Sequence, residues 1–218
     1  MSLPGAASAC RLALALALDV SSSVDEREYA LQRDGLAAAL MSEDVVTAIT
    51  RDGPIALAIY EWSGRRQSVL VQDWVLLGSV ADISAVSQRL LGTQRSFRRF
   101  PTALGYALGF GASLLQRAPV CERKVIDVSG DGVTNDGFGP FHAYKHFPFE
   151  GVTVNGLAVL GADPAVVEHF EFEVLHGPGA FLEAAEGYEG YRRAMERKLF
   201  REISDRVVGA LPGSEVPG

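Results

Sequence analysis

The sequence lacks features that would place it in several common classes of protein. None of its apolar runs reaches the roughly 20 residues that a membrane-spanning helix needs. Basic residues are in the minority, with 20 Lys and Arg against 27 Asp and Glu in 218 residues, and the net charge is −7. We therefore expect no basic face that would bind nucleic-acid phosphates. The 48% hydrophobic content indicates one domain with a sizeable core.

Residue sets typical of enzymes and zinc sites are also scarce. No nucleophile–base pair is evident, so the sequence does not indicate an enzyme. Among the four histidines, His142 and His146 are the only pair spaced four residues apart, and no third zinc ligand is apparent beside them. Cys10 and Cys121 are the only cysteines, and two unrelated buried thiols would be the simplest interpretation of them.

The two ends of the chain carry few structural signals. The start, MSLPGAASACR, has no basic region ahead of an apolar segment and is not a recognisable signal peptide. We expect residues 1–10 to be a partly disordered leader or tag in place of a native signal peptide. Residues 209–218 are expected to form a flexible tail, which leaves 11–208 as the folded domain.

Apolar segments with strand character alternate with amphipathic ones along the chain. Buried strands are predicted at 11–20, 53–64, 124–129 and 152–161. The partly alternating segment 66–77 predicts an edge strand in a hairpin with the strand before it. Helices are predicted over 24–49 and 188–208, among others, and helix is the alternative for the Leu/Ala run at 11–20. The alternation predicts an α/β protein whose doubly wound, Rossmann-like sheet has helices on both faces.

Oxygen-bearing side chains follow two of these predicted strands and precede one helix. Asp19, Ser21 and Ser23 come after the first strand, Asp131 comes after the 124–129 strand, and Thr102 opens a helix. Ligands of such sheets bind outside the carboxyl ends of the strands. Carboxylate and hydroxyl oxygens are ligands for hard divalent cations such as Mg²⁺. The alternative for Ser23 alone is that it caps the helix that follows.

The motifs DVSSSV, FPTALGYAL and SGDG together resemble, in order and spacing, the metal-binding motifs of von Willebrand factor type A domains. The resemblance covers about residues 12–208 and extends to an uncharacterised, exported bacterial subgroup. It implies a three-layer, mostly parallel sheet with one antiparallel edge strand. It also implies a metal ion-dependent adhesion site for Mg²⁺ or Mn²⁺, with Ca²⁺ possible, whose ligands would be Asp19, Ser21, Ser23, Thr102 and Asp131.

The resemblance further implies a binding module that captures an Asp or Glu of a protein partner on the cation. The basic loop RSFRRF brings Arg95, Arg98 and Arg99 just before Thr102, where they would receive an anionic partner or form a solvated loop. Two departures from the family pattern concern loop geometry. Gly130 is inserted before the Asp-Gly pair, and Tyr106 stands where many members have an acidic residue.

A disulfide follows from the sheet that the resemblance implies, because it places the first strand parallel to the 124–129 strand. Cys10 lies nine residues before Asp19, and Cys121 lies ten before Asp131. Both cysteines should therefore meet at the opposite end of the sheet, within disulfide distance. A Cys10–Cys121 bond would imply a periplasmic or secreted protein, whereas two free thiols would suit a cytoplasmic one.

Two other functions remain open at this point. The segment SGDGVTND is similar to a late loop of haloacid dehalogenase-type phosphatases, but Ser21 replaces the aspartate that serves as their acid/base. A scaffold of the same fold without a metal function is the other alternative. Asp127, inside a predicted buried strand, requires a partner, which the sequence leaves open between an arginine and backbone N–H groups.

Overall fold

The computed structural model describes residues 10–204, which are built around one six-stranded sheet. Its strands are β1 (Cys10–Asp19), β2 (Ile55–Trp62), β3 (Ser68–Leu77), β4 (Cys121–Gly130), β5 (Val152–Val159) and β6 (Leu182–Ala185). Their spatial order is β3-β2-β1-β4-β5-β6, and only the edge strand β3 runs antiparallel to its neighbour. The predicted fold class and the predicted hairpin are thus confirmed. The predicted leader lies outside the described residues except for Cys10, and the predicted tail lies wholly outside them.

Helices cover both faces of the sheet. They are α1 (Glu26–Leu40), α2 (Glu43–Asp52), α3 (Val80–Leu91), α4 (Leu104–Leu115), α5 (Pro140–His146), α6 (Val166–His169) and α7 (Tyr191–Ser204). A π-helical turn, Phe170–Val174, continues α6, and a 3₁₀ turn, Tyr188–Gly190, precedes α7. Within the described residues, every helix is too short or too polar to cross a membrane.

The Leu/Ala alternation of β1 decides how the two helical layers pack. Successive strand residues point to opposite faces, so leucines such as Leu14 join the core formed with α1, α2, α3 and α7. Alanines such as Ala15 join the core formed with α4, α5 and α6. The small residues allow α4 to approach closely, since a Cβ at Gly111 would stand 2.6 Å from the Tyr60 hydroxyl and 3.0 Å from Ile126.

The prediction of one helix over 24–49 is wrong. The chain interrupts it at Met41 and Ser42, and a second helix begins at Glu43. Ser42 adopts an extended conformation (φ −65°, ψ 148°). Its hydroxyl donates to the Ala39 carbonyl at 2.8 Å, an alternative to the next helical turn. The apolar pattern continues through the break and therefore conceals it.

A disulfide joins Cys10 and Cys121, as predicted. The two residues are directly paired in the β1–β4 register, with their Cα atoms 4.3 Å apart. The bond lies at the amino end of both strands, and the oxygen-bearing motifs lie at the other end.

Replacing both cysteines by serine should lower the free energy of unfolding by about 2–5 kcal/mol, because the disulfide restricts the unfolded chain. The bond spans a sequence separation of 111 residues. Urea unfolding with and without dithiothreitol provides the measurement. The reductant should destabilise the wild type and leave the double variant unchanged, and equal stability of the two oxidised proteins would contradict the prediction.

The buried Asp127 of β4 pairs with α7. Lys198 Nζ lies 2.9 Å from Asp127 Oδ1 and 2.8 Å from Glu202 Oε1, and Asn155 Nδ2 donates to the same Glu202 oxygen at 2.9 Å. Burial, followed by the charge of Glu202, raises the pKa of Asp127 to about 8. The partner is a lysine from the last helix rather than either of the expected groups. The triad connects α7 to the centre of the sheet.

Candidate metal centre

The parallel pairing of β1 and β4 brings Asp19 and Asp131 to the same edge of the sheet. Leu18 is paired with Ser129, Asp19 is the last residue of β1, and Asp131 directly follows β4. Gly130 lies against the Asp19 carboxylate, since a Cβ there would stand only 3.1 Å from Asp19 Oδ2. The glycine that departs from the family pattern therefore occupies a position where a side chain would crowd Asp19.

The DVSSS loop connects the two aspartates through hydrogen bonds. The Ser21 N–H donates to Asp19 Oδ1 at 2.7 Å, and the hydroxyls of Ser21 and Ser23 lie 3.0 Å apart. The Ser23 hydroxyl in turn donates to Asp131 Oδ1 at 2.7 Å. Ser23 does not cap the next helix, because Asp25 forms a capping box with Glu28 at the start of α1. Four of the five predicted ligands thus form one contiguous polar network.

Thr102 is buried and held against the loop that follows Asp131. Its N–H donates to Asn135 Oδ1 at 2.9 Å, and its carbonyl accepts from the N–H groups of Asn135 (3.0 Å) and Asp136 (3.2 Å). The Ser22 N–H donates to the Phe100 carbonyl at 2.8 Å, which links the first motif to the loop that carries Thr102. All three motif segments therefore contact one another at the carboxyl edge of the sheet.

The two carboxylates are buried next to each other with incomplete compensation. Asp19 is fully buried and Asp131 is 1% exposed, and the Oδ2 atom of each lacks a hydrogen-bond partner. Burial, with the nearby charge of Asp131, raises the pKa of Asp19 to about 7, and burial raises the pKa of Asp131 as well. No ion pair among residues 10–204 involves either carboxylate.

This arrangement fits a hard divalent cation. Two unpartnered carboxylate oxygens and three nearby hydroxyl-bearing residues are the donor types that Mg²⁺ and Mn²⁺ prefer. In the part of the chain that the structure describes, no group of three or more His, Cys, Asp or Glu side chains could hold a metal ion. A centre here would therefore depend on serine and threonine oxygens in addition to the two aspartates.

Comparison with known proteins bears on the family and on the fold. The profile of a family described as "Protein of unknown function (DUF1194)" matches residues 9–207. The chain belongs to this family. No curated protein matches the sequence.

Solved structures similar to this DUF1194 member carry von Willebrand A-type folds. Proximal thread matrix protein 1 from the mussel byssus, with a zinc-occupied MIDAS motif, has a TM-score of 0.63 and 15% identity over 91% of this chain and 49% of its own. The von Willebrand factor type A protein from Catenulispora acidiphila has a TM-score of 0.60 and 12% identity, over 90% of this chain and 42% of its own. The pilus adhesin SpaC from Lactobacillus rhamnosus GG has a TM-score of 0.63 and 12% identity, over 89% of this chain and 31% of the adhesin. The chain thus spans about half or less of these proteins, and at such identities the likeness establishes the fold alone.

The three arginines predicted to receive an anionic partner have different environments in the DUF1194 chain. Arg95 is buried, and its guanidinium donates to the carbonyls of Val20 (3.2 Å) and Ser21 (2.8 Å), so it supports the backbone of the first motif. Arg98 is exposed and lies 3.1 Å from Glu26, and Arg99 is exposed. Contact of these residues with an anionic partner stays a prediction.

Three residues that support the site were not predicted from the sequence. Gln32 of α1 donates to the Asp19 carbonyl at 2.9 Å. The available signal was its spacing, three residues after Tyr29 and four before Leu36, which places a polar side chain on the apolar face of the helix. Asn135, in the loop after Asp131, holds Thr102 as described above. Trp62 is paired with Asp19 in the β1–β2 register, and its ring would be 3.5 Å from a Cβ at Gly130.

The raised pKa of Asp19 predicts how the stability of the metal-free protein depends on pH. Because the folded pKa is about 7 against an ordinary 3.8, the favourable contribution of protonated Asp19 is complete below about pH 4. This contribution is lost as the pH rises through 7, which lowers the free energy of unfolding by roughly 2–4 kcal/mol. Asp19→Asn should therefore be more stable than the wild type at pH 8 in chelator, and this advantage should shrink at pH 5.

Urea unfolding in EDTA at the two pH values measures the difference, with Asp136→Asn as a partly exposed control. Asp136 is bound to Arg65 at 2.7 Å, which lowers its pKa, so its variant should show no stabilisation at pH 8. An Asp19→Asn variant less stable than the wild type at pH 8 would contradict the prediction.

Proposed function

We propose that this protein is a metal-ion-dependent protein-binding module. Asp19, Ser21, Ser23, Thr102 and Asp131 would hold Mg²⁺ or Mn²⁺, and an Asp or Glu side chain of a partner protein would bind to the cation. The observation that carries this proposal is the pair of buried, unpartnered carboxylate oxygens at the junction of the three motif segments. Two adjacent buried carboxylates are costly unless a positive charge compensates them.

Each part of the site has a distinct role in this proposal. When bound, the cation supplies the positive charge that attracts a partner carboxylate. Asp19 and Asp131 balance part of that charge, and the hydroxyls of Ser21 and Ser23 complete a neutral, hydrogen-bonded side of the site. Arg95, through the Val20 and Ser21 carbonyls, keeps the loop in place. Ca²⁺ is a weaker candidate because its larger coordination number requires more oxygen ligands.

Binding is favoured over phosphoryl transfer by the residue at position 21. A haloacid dehalogenase-type phosphatase requires an acid/base group there, and the Ser21 hydroxyl does not titrate in the useful range. The solved neighbours include an adhesin and a byssus matrix protein, which supports a protein partner. The Cys10–Cys121 bond supports a location in an oxidising compartment, such as a periplasm or the cell exterior.

Metal binding tests the first half of the proposal. Isothermal titration with Mn²⁺ and with Mg²⁺ should show one site in the wild type, and Asp131→Asn should weaken binding at least tenfold because it removes a charged ligand. Asp136→Asn is the matched control, since Asp136 lies five residues further along and pairs with Arg65. Absence of binding by the wild type, or equal binding by both variants, would refute the metal centre.

Partner capture tests the second half. The wild type should retain a protein from an extract of the source organism in Mn²⁺ buffer and release it in EDTA, because chelation removes the atom to which the acidic side chain binds. Thr102→Ala should fail to retain that protein in either buffer, whereas Asp136→Asn should behave as the wild type. A partner that is retained equally in EDTA would argue against capture through the metal.

A further inference from the structure

Buried polar atoms without a hydrogen-bond partner concentrate in two places within the described residues. Three of them belong to Asp127 and Glu202, whose charges are already compensated by the ion pairs with Lys198. The other six lie at the edge of the sheet that carries the candidate metal centre. They are Asp19 Oδ2, Trp62 Nε1, Ser63 Oγ, Arg95 Nε, Asp131 Oδ2 and the Tyr188 hydroxyl. Buried groups of this kind are rare in folded proteins. The two carboxylate oxygens among these six are acceptors that a cation would satisfy, whereas the Trp62 and Arg95 N–H groups are donors.

Tyr188 is one of the four members of this group that lie outside the three motifs. It opens the 3₁₀ turn before α7, is 4% exposed, and stacks on Tyr191 with ring centroids 6.3 Å apart. Its ring lies in the apolar core shared by α1 and α7. For this packing alone a phenylalanine would serve better, because an unpartnered buried hydroxyl destabilises the fold.

Tyr188 lies at the same edge of the sheet as the two carboxylates, because its turn follows β6 and the next residue, Glu189, pairs with Arg27 of α1 at 2.6 Å. Two pKa shifts support this placement: burial, and next the charges of Asp19 and Asp131, raise the pKa of Tyr188, and hydrogen bonding towards the Tyr188 hydroxyl opposes the burial that raises the pKa of Asp131. No hydrogen bond of standard geometry joins the two residues. The Tyr188 hydroxyl is therefore a buried donor at the edge that carries the two unpartnered carboxylate oxygens, and it is hydrogen-bonded to neither of them.

We propose that Tyr188 is a positioning residue of the metal centre, whose hydroxyl donates a hydrogen bond into the oxygen shell around the cation. This inference rests on the proposed function. Groups that hydrogen-bond to metal ligands fix the orientation of those ligands, and their loss typically weakens metal binding 10–100-fold. A hydroxyl is suited to the role because it can turn its proton towards a carboxylate oxygen or towards a water on the cation.

The test is Tyr188→Phe, which removes the hydroxyl and keeps the ring. We expect its Mn²⁺ affinity, measured by calorimetry and by the paramagnetic resonance signal of free Mn²⁺, to fall about tenfold or more. Its unfolding midpoint in EDTA should be unchanged or higher, because the variant loses an unpartnered buried hydroxyl. A purely structural role would instead lower that midpoint.

Tyr191→Phe is the matched control. The Tyr191 hydroxyl lies 3.2 Å from Ser129 Oγ, so its removal should lower the unfolding midpoint and leave Mn²⁺ affinity unchanged. Unchanged Mn²⁺ affinity in Tyr188→Phe, or a loss of stability in EDTA like that of Tyr191→Phe, would overturn the role of Tyr188 alone. A wild type that binds no Mn²⁺ would overturn the proposed function and this inference together.

Discussion

The parallel register of β1 and β4 positions both the disulfide and the candidate metal centre. It pairs Cys10 with Cys121 at one end and brings Asp19 next to Asp131 at the other. Two strands that advance at the same rise per residue keep both relationships at once. The disulfide and the candidate metal centre are therefore two consequences of one alignment, and a slip of the register would disrupt both.

The two faces of β1 pack against different sets of helices. Leucines on one face pack under α1 and α7, and alanines on the other allow α4 to come close. The close approach of α4 matters because Thr102 stands just before this helix, and its loop bonds to the segments that carry Ser22 and Asn135. An ordinary packing pattern thereby assembles three distant motifs.

Negative charge is buried at two levels of the sheet, and the protein compensates it in two ways. Asp127 and Glu202 share Lys198, a cation supplied by the chain itself. Asp19 and Asp131 have no such partner among the described residues, although Ser21, Ser23 and nearby Tyr188 offer polar groups. The contrast supports an external cation at the second pair, since both pairs are equally removed from water.

The strands, the alternation that makes them two-faced, and the motif residues at the carboxyl edge could all be predicted from the sequence, because they depend on local patterns with periods of two or a few residues. It failed at the break after Met41, where the apolar pattern continues without interruption. The folded arrangement of the helices was needed to show that Lys198 neutralises Asp127, that Arg95 binds loop carbonyls, and that Gln32 binds the Asp19 carbonyl. Such contacts join residues far apart in the chain, and their partners depend on where each helix packs on the sheet.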